Sequence, residues 1–224
     1  MNLQSLPSPI AIDGPAASGK TTVGRALASK YGYRFLDTGS MYRAFTLAAL
    51  RLDIAPSESA RCTTLARLLG LHLQGQREPR IMLGAEDVTE LLRAPAVEAN
   101  VSPYSAIQGV RDVLVQLQRE FASDGPAVLA GRDIGTVVLP SAPIRIYLDA
   151  SEGARAARRS HQAAEWGTRQ NASGARRDIA GRDRVDSPRN ILAATGGAIV
   201  IDTTELSLDQ TVARVVEIVE CWHA

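Results

Sequence analysis

Gly14, Gly19, Lys20 and Thr21, within the stretch IAIDGPAASGKTTVGRAL, complete the spacing G-x-x-x-x-G-K-S/T. Glycines in such a loop let the backbone curl until successive N–H groups point inward at phosphate oxygens. The helix that follows directs its N-terminal partial positive charge at the same anion. Lys20 would then reach the terminal phosphates, and the hydroxyl of Thr21 would be placed to coordinate Mg²⁺. The lysine is unusual in its own chain, because only Lys20 and Lys30 stand among 25 Lys and Arg residues. A compact ammonium on a flexible stem fits between phosphate groups where a planar guanidinium is too broad.

A triphosphate cradle alone leaves ATPase, GTPase, motor and kinase open. The guanine-reading pattern N-K-x-D is absent, since Lys30 follows Ser29 and no other lysine lies outside the loop. Two further clusters suggest a second substrate. LDTGSMYR carries Thr38 and Arg43, and AGRDIG carries Arg132 and Asp133. Each follows a short apolar run that reads as a core strand. In an open parallel sheet ligands gather outside the carboxyl ends of the strands, so these clusters and the loop are expected to share one crevice. Arginines beside a phosphate cradle suggest a second anion facing the first.

The elements that must position these residues follow from the alternation of short apolar runs with helical patterns. That alternation predicts an α/β fold with a largely parallel sheet. PIAID, YRFLD, PAVLAG, IRIYLD and AIVID read as strands. KTTVGRALASKYG, SMYRAFTLAALRL and LDQTVARVVEIVECW read as helices, and a turn (TG) is expected between the second strand and its helix. Two stretches fall outside the alternation. LHLQGQREPRIMLGAEDVT, inside a segment of about 56–103, suggests a small antiparallel sheet in an inserted lobe. The segment of about 151–189 holds nine Arg, at 155, 158, 159, 169, 176, 177, 182, 184 and 189, and its polar, Gly-broken middle suggests a flap. The rest, about 8–55, 104–150 and 190–224, forms the core of a single domain.

Composition narrows the partners. A net charge of +1 over 224 residues supplies no global field for nucleic acid or an anionic membrane. No run of about 18 apolar residues exists and the N-terminus lacks the basic-then-apolar order of a leader, so a cytoplasmic protein is expected. Cys62, Cys221, His72, His161 and His223 show no metal-ligand spacing.

The blocks IAIDGPAASGKTT…LDTGSMYRAFTLAAL, GAEDVT, VRDVLVQLQREF, GRDIGTVVLP, IYLDAS and GRDRVDSPR, in this order, resemble bacterial cytidylate kinase along nearly the whole chain. That resemblance implies a nucleoside monophosphate kinase with a P-loop NTPase-type core, an inserted nucleotide-binding lobe and an Arg-rich lid. It implies transfer of the γ-phosphoryl of ATP to CMP or dCMP with Mg²⁺, and a monomer. Carried over by position, Gly14, Pro15, Ala16, Ala17, Ser18, Gly19, Lys20, Thr21 and Thr22 would hold ATP. Ser102, Arg111 and Asp133 would read cytosine; Thr38, Arg43 and Arg132 would lie near the acceptor phosphate; Arg182 and Asp186 would hold the ribose. Lys20, Arg132, Arg158 and Arg189, with neighbours such as Arg155 and Arg159, would surround the transferring group. A carboxylate at Asp133 suits the N4 amino donor of cytosine and would face a carbonyl in uracil. The same carboxylate at a strand end could instead orient a metal. Three departures from the family pattern stand out: AAS at the centre of the loop, Thr38 for a frequent Ser, and NILAATGGA after Arg189 where a Pro-Leu pair is common. The alternatives are another P-loop kinase, for UMP, AMP, shikimate or dephospho-coenzyme A, and a nucleotide-binding module without turnover.

Overall fold

The computed structural model describes residues 7–165, 174, 176, 179–181, 183–184 and 196–222. Its centre is β1 (Ile10–Asp13), buried along its whole length. Such a strand, apolar on both faces, belongs in the middle of a parallel sheet. It is flanked in parallel by β6 (Ala127–Gly131) and β7 (Ile144–Asp149), with Ile10 opposite both Val128 and Ile144. β2 (Arg34–Asp37) and β8 (Ile199–Asp202) close the five-stranded sheet in the order β2-β6-β1-β7-β8. The chain leaves β1 toward one edge and later crosses to the other side of it. The end of β1 is therefore a topological switch point, where an open crevice is expected.

Alternation along β1 divides the packing between the two faces. Ile10 and Ile12 join Val23 and Leu27 of α1 (Lys20–Tyr31) and Val215 and Val219 of α7 (Leu208–Glu220). Ala11 turns the other way, toward Met41 and Phe45 of α2 (Thr38–Arg51) and Leu114 of α5 (Gln108–Ser123). Phe45 and Leu27 are wholly buried, and each such side chain stabilises the fold by about 1.5–3 kcal/mol. α7 starts at a capping box in which Ser207 and Gln210 satisfy each other's backbone N–H groups.

The predicted small sheet is present as β3 (Leu71–Gln74), β4 (Arg80–Leu83) and β5 (Glu86–Asp87), all antiparallel. α3 (Ser59–Leu68) precedes it; a 3-10 turn (Thr89–Arg93) and α4 (Pro95–Ser105) follow. Cys62, Leu71, Ile81, Val88 and Tyr104 belong to the same buried cluster as Met41 and Phe45, so this insertion shares the core of the sheet. The Tyr104 hydroxyl donates to the Ile54 carbonyl at 2.7 Å and fixes α4 to the end of α2. One local expectation differs. No turn separates β2 from its helix, because Asp37 ends the strand and caps α2 at once, its carboxylate accepting from Gly39 N at 3.1 Å.

Candidate active site

β1 ends at Asp13, and the next six residues turn back into α1. Gly14 has φ +153°, and a Cβ there would lie 2.3 Å from the Leu148 carbonyl oxygen of β7, so no side chain fits. Gly19, at φ +93°, is the N-cap of α1 and has no side chain to cap it; the first turn of the helix also carries no acidic residue. The leading N–H groups of α1 are thus left to meet an anion. Lys20 Nζ donates to the Pro15 carbonyl at 2.9 Å, across the mouth of the loop. The Ser18 hydroxyl is buried in the loop with no hydrogen-bond partner among the described residues.

Asp13 ties this loop to the second cluster. Its buried carboxylate accepts from Ile134 N at 2.7 Å and Gly135 N at 2.8 Å. Desolvation pushes its pKa up to about 6 and the nearby Asp133 adds to the rise, against the two N–H donors and Lys20, which lower it. Arg132 Nη1 donates to the Gly14 carbonyl at 2.7 Å. The π-turn Ile134–Val138 that follows β6 is therefore latched to the phosphate loop from both sides. Asp133 pairs with Arg111 Nη2 of α5, both side chains nearly buried. Arg111 also donates to the Tyr42 hydroxyl at 3.4 Å and lies 6.0 Å from that ring's centroid.

A cavity of about 1040 Å³ joins these parts. Its walls include Ala16 to Thr22 from the loop, Thr38 and Arg43 from α2, Ser102 from α4, Arg111 from α5, Arg132 and Asp133 after β6, and Arg158. Gly14 and Pro15, at the start of the loop, are buried. Thr38 donates its hydroxyl proton to the Ala130 carbonyl at 3.0 Å, so it meets the cavity as an acceptor. Arg158, on α6 (Glu152–Glu165), donates to Thr203 Oγ1 at 2.9 Å and approaches the Ser18 carbonyl at 3.5 Å, which sets it over the loop. Arg155 departs from the expectation that it faces the transferring group. It is buried against the loop, donating to the Ala150 and Ala16 carbonyls and pairing with Asp183 at 2.7 Å. One turn of helix separates a strut from a wall residue. Arg182, Asp186 and Arg189 lie outside the described residues.

Several site residues escaped the sequence reading. Asp37 accepts from the Thr21 hydroxyl at 3.3 Å. Arg93 and Tyr42 line the cavity, beside Arg159 of α6, which the resemblance had placed near the transferring group. Glu98 holds Arg43 Nε at 2.6 Å and Arg159 Nη2 at 2.8 Å, with Arg93 Nη1 at 3.5 Å. Burial and the neighbouring Arg43 lower the pKa of Arg93 from its usual value. Only the helical periodicity that puts Glu98 on the same side of α4 as Ser102 could have hinted at it.

The family model for cytidylate kinase matches residues 10–221. The chain belongs to the cytidylate kinase family. It is 43% identical over 210 residues to a cytidylate kinase of Caldanaerobacter subterraneus subsp. tengcongensis, covering 93% of this chain and 92% of that one. It is 42% identical over 214 residues to a cytidylate kinase of Exiguobacterium sibiricum, covering 94% and 96%. Among solved structures, shikimate kinase from Bacteroides thetaiotaomicron superposes with a TM-score of 0.51 at 16% identity, over 94% of this chain and 97% of that one, a likeness of fold alone. That fold is the P-loop kinase arrangement of a parallel sheet flanked by helices. Membership in the cytidylate kinase family makes the chain a nucleoside monophosphate kinase, which uses ATP.

Proposed function

We propose that this enzyme transfers the γ-phosphoryl group of ATP to the phosphate of CMP or dCMP, giving CDP or dCDP. The observation that carries the reading is the single cavity with a phosphate loop on one wall and the Arg111–Asp133 pair on another, in a chain of this family. On this reading the loop residues 14–22 cradle ATP, and Lys20 and Arg158 meet the charge that spreads over the transferring group. Arg132 and Arg189 join them. Arg43 and Thr38 line the acceptor side, Ser102, Arg111 and Asp133 read the base, and Arg182 and Asp186 take the ribose. The carboxylate of Asp133 accepts from the cytosine N4 amino group, while Arg111 offers donors to its ring acceptors. The acceptor phosphate is already an oxyanion near neutral pH, so no general base is needed.

The residues fit Mg²⁺: the Thr21 hydroxyl and the Asp37 carboxylate are hard oxygen donors side by side at the loop. Those two would hold the ion, which would neutralise charge on the phosphate oxygens of ATP. Segments 56–103 and 151–189 serve as acceptor lobe and lid around the remaining core. The enzyme works as a monomer on free nucleotides in the cytoplasm, a reading supported by a net charge of +1 that offers no field for a polyanion.

A panel of nucleoside monophosphates with Mg-ATP, following ADP release, tests the reading. Turnover is expected with CMP and dCMP well above UMP and AMP. Equal ADP release with and without every acceptor would overturn the kinase assignment, and best turnover with AMP or UMP would overturn the cytosine assignment.

A further inference from the structure

Four charged side chains meet on the acceptor side of the cavity, and they come from four elements. Arg43 belongs to α2, Arg93 ends the 3-10 turn, Glu98 sits on the first half of α4, and Arg159 on α6. One carboxylate joins them. Glu98 Oε1 takes Arg43 Nε at 2.6 Å and Arg93 Nη1 at 3.5 Å, and Oε2 takes Arg159 Nη2 at 2.8 Å. The side chains of Arg43, Glu98 and Arg159 are only 11–12% exposed, so these pairs are shielded from screening by solvent. The three arginines line the cavity and Glu98 does not. The carboxylate therefore stands behind the guanidinium groups and not in front of them.

Arg93 Nη2 also lies 3.8 Å from Asp37. Long arginine side chains lose considerable rotamer freedom when an anion fixes them. A carboxylate that already holds them removes that cost from the binding step, which is the advantage of preorganisation. Arg159 is the one member that comes from the lid helix, so the same carboxylate also couples the lid to the acceptor side.

We propose that Glu98 is a positioning residue for the acceptor's phosphate: it gathers Arg43, Arg93 and Arg159 from behind so that their guanidinium groups are aimed together at that phosphate. The proposal rests on the reading that this side of the cavity takes a nucleoside monophosphate. It makes a prediction opposite to simple electrostatics. Removing a negative charge from beside an anion site strengthens anion binding, unless placement of the arginines is lost with it.

The test is calorimetric binding of CMP and of cytidine to the wild type and to Glu98→Gln. The two probes differ only in the phosphate. Glu98→Gln is expected to bind CMP about tenfold more weakly and cytidine as the wild type does, because the lost contacts are charge-assisted hydrogen bonds to phosphate. In turnover with saturating Mg-ATP, KM for CMP should rise while kcat and KM for ATP stay within about twofold. Unchanged or tighter CMP binding would overturn the proposal, and so would equal weakening of CMP and cytidine, which marks general damage. Should Glu98→Gln fail to fold, Glu98→Asp keeps the charge on a shorter stem that cannot span three partners; it should also weaken CMP against cytidine, and wild-type behaviour there would overturn the proposal. A wild type that phosphorylates CMP beside an indifferent Glu98 variant sinks only this inference. A wild type that phosphorylates no nucleoside monophosphate sinks the functional reading itself.

Discussion

The two walls of the cavity are built from different materials. The donor wall is mostly backbone: a loop bent at Gly14 and Gly19, the uncapped start of α1, and one lysine laid across it. The acceptor wall is mostly side chain, with buried charges paired across helices distant in sequence, Arg111 with Asp133 and Glu98 with three arginines. Backbone N–H groups bind any phosphate oxygen in reach and tolerate change at most loop positions, glycines excepted. Paired side chains select shape and charge, and removal of one partner leaves the other buried and unmet. On the proposed function, that contrast makes the donor site broad and the acceptor site discriminating.

Breaking the donor wall gives the largest expected effect. Lys20→Ala should lower kcat for CMP phosphorylation by about 10²–10³-fold, read as ADP release, since one preorganised cation over the transferring group is lost. Gly14→Ala sharpens the comparison, because the added Cβ meets the Leu148 carbonyl. It should raise KM for ATP by an order of magnitude or more while leaving CMP binding by calorimetry near that of the wild type. On the acceptor wall, Asp133→Ala should cut kcat/KM for CMP by about 10²-fold with KM for ATP within about threefold. It also leaves Arg111 buried without its carboxylate, so chemical denaturation should show a loss of about 3–5 kcal/mol. A collapse of ATP affinity in that variant would move Asp133 to the donor side.

Asp13 joins the two walls and offers a test by pH. Its pKa in the fold is about 6, above the ordinary 3.8, so between those values the folded chain holds a proton that the unfolded chain releases. The stability tied to that proton is present below about pH 4 and is lost as pH rises through 6, a change on the order of 3 kcal/mol. Asp13→Asn should flatten that part of the stability profile, measured as the wild-type minus variant difference in urea unfolding between pH 4 and 7. The smallest effect belongs to a position far from both walls. Ser207→Ala removes half of the capping box of α7 and should cost about 1 kcal/mol with turnover unchanged.

The same contrast explains what the sequence revealed. The phosphate loop is contiguous, and its demands on glycine and lysine fall at fixed spacing, so Gly14, Gly19, Lys20 and Thr21 were readable from one line of residues. The central strands were readable because burial on both faces leaves unbroken apolar runs such as Ile10–Ile12 and Ala127–Gly131. The acceptor wall has no spacing of its own. Thr38, Arg43, Arg111 and Asp133 could be gathered only through strand ends and a family resemblance, while Arg93 carries no local mark and Glu98 only its helical spacing from Ser102. Arg155 and Arg158 look alike in sequence, three residues apart on one helix. Which becomes a strut beneath the loop and which a wall of the cavity depends on the direction α6 takes past Ala16 and Thr203.

The position of β1 also constrains how the chain is made. Among the described strands it is made before the others, yet Ile10 finds its neighbours at Val128 and Ile144, on strands synthesised much later. The apolar run Ile10–Ile12 must wait through synthesis of α2, the small sheet and α5 before either edge is covered. Such distant pairing slows folding and exposes sticky segments meanwhile. A nascent chain arrested before β6 should therefore be captured by a chaperone, and one extended past β7 released.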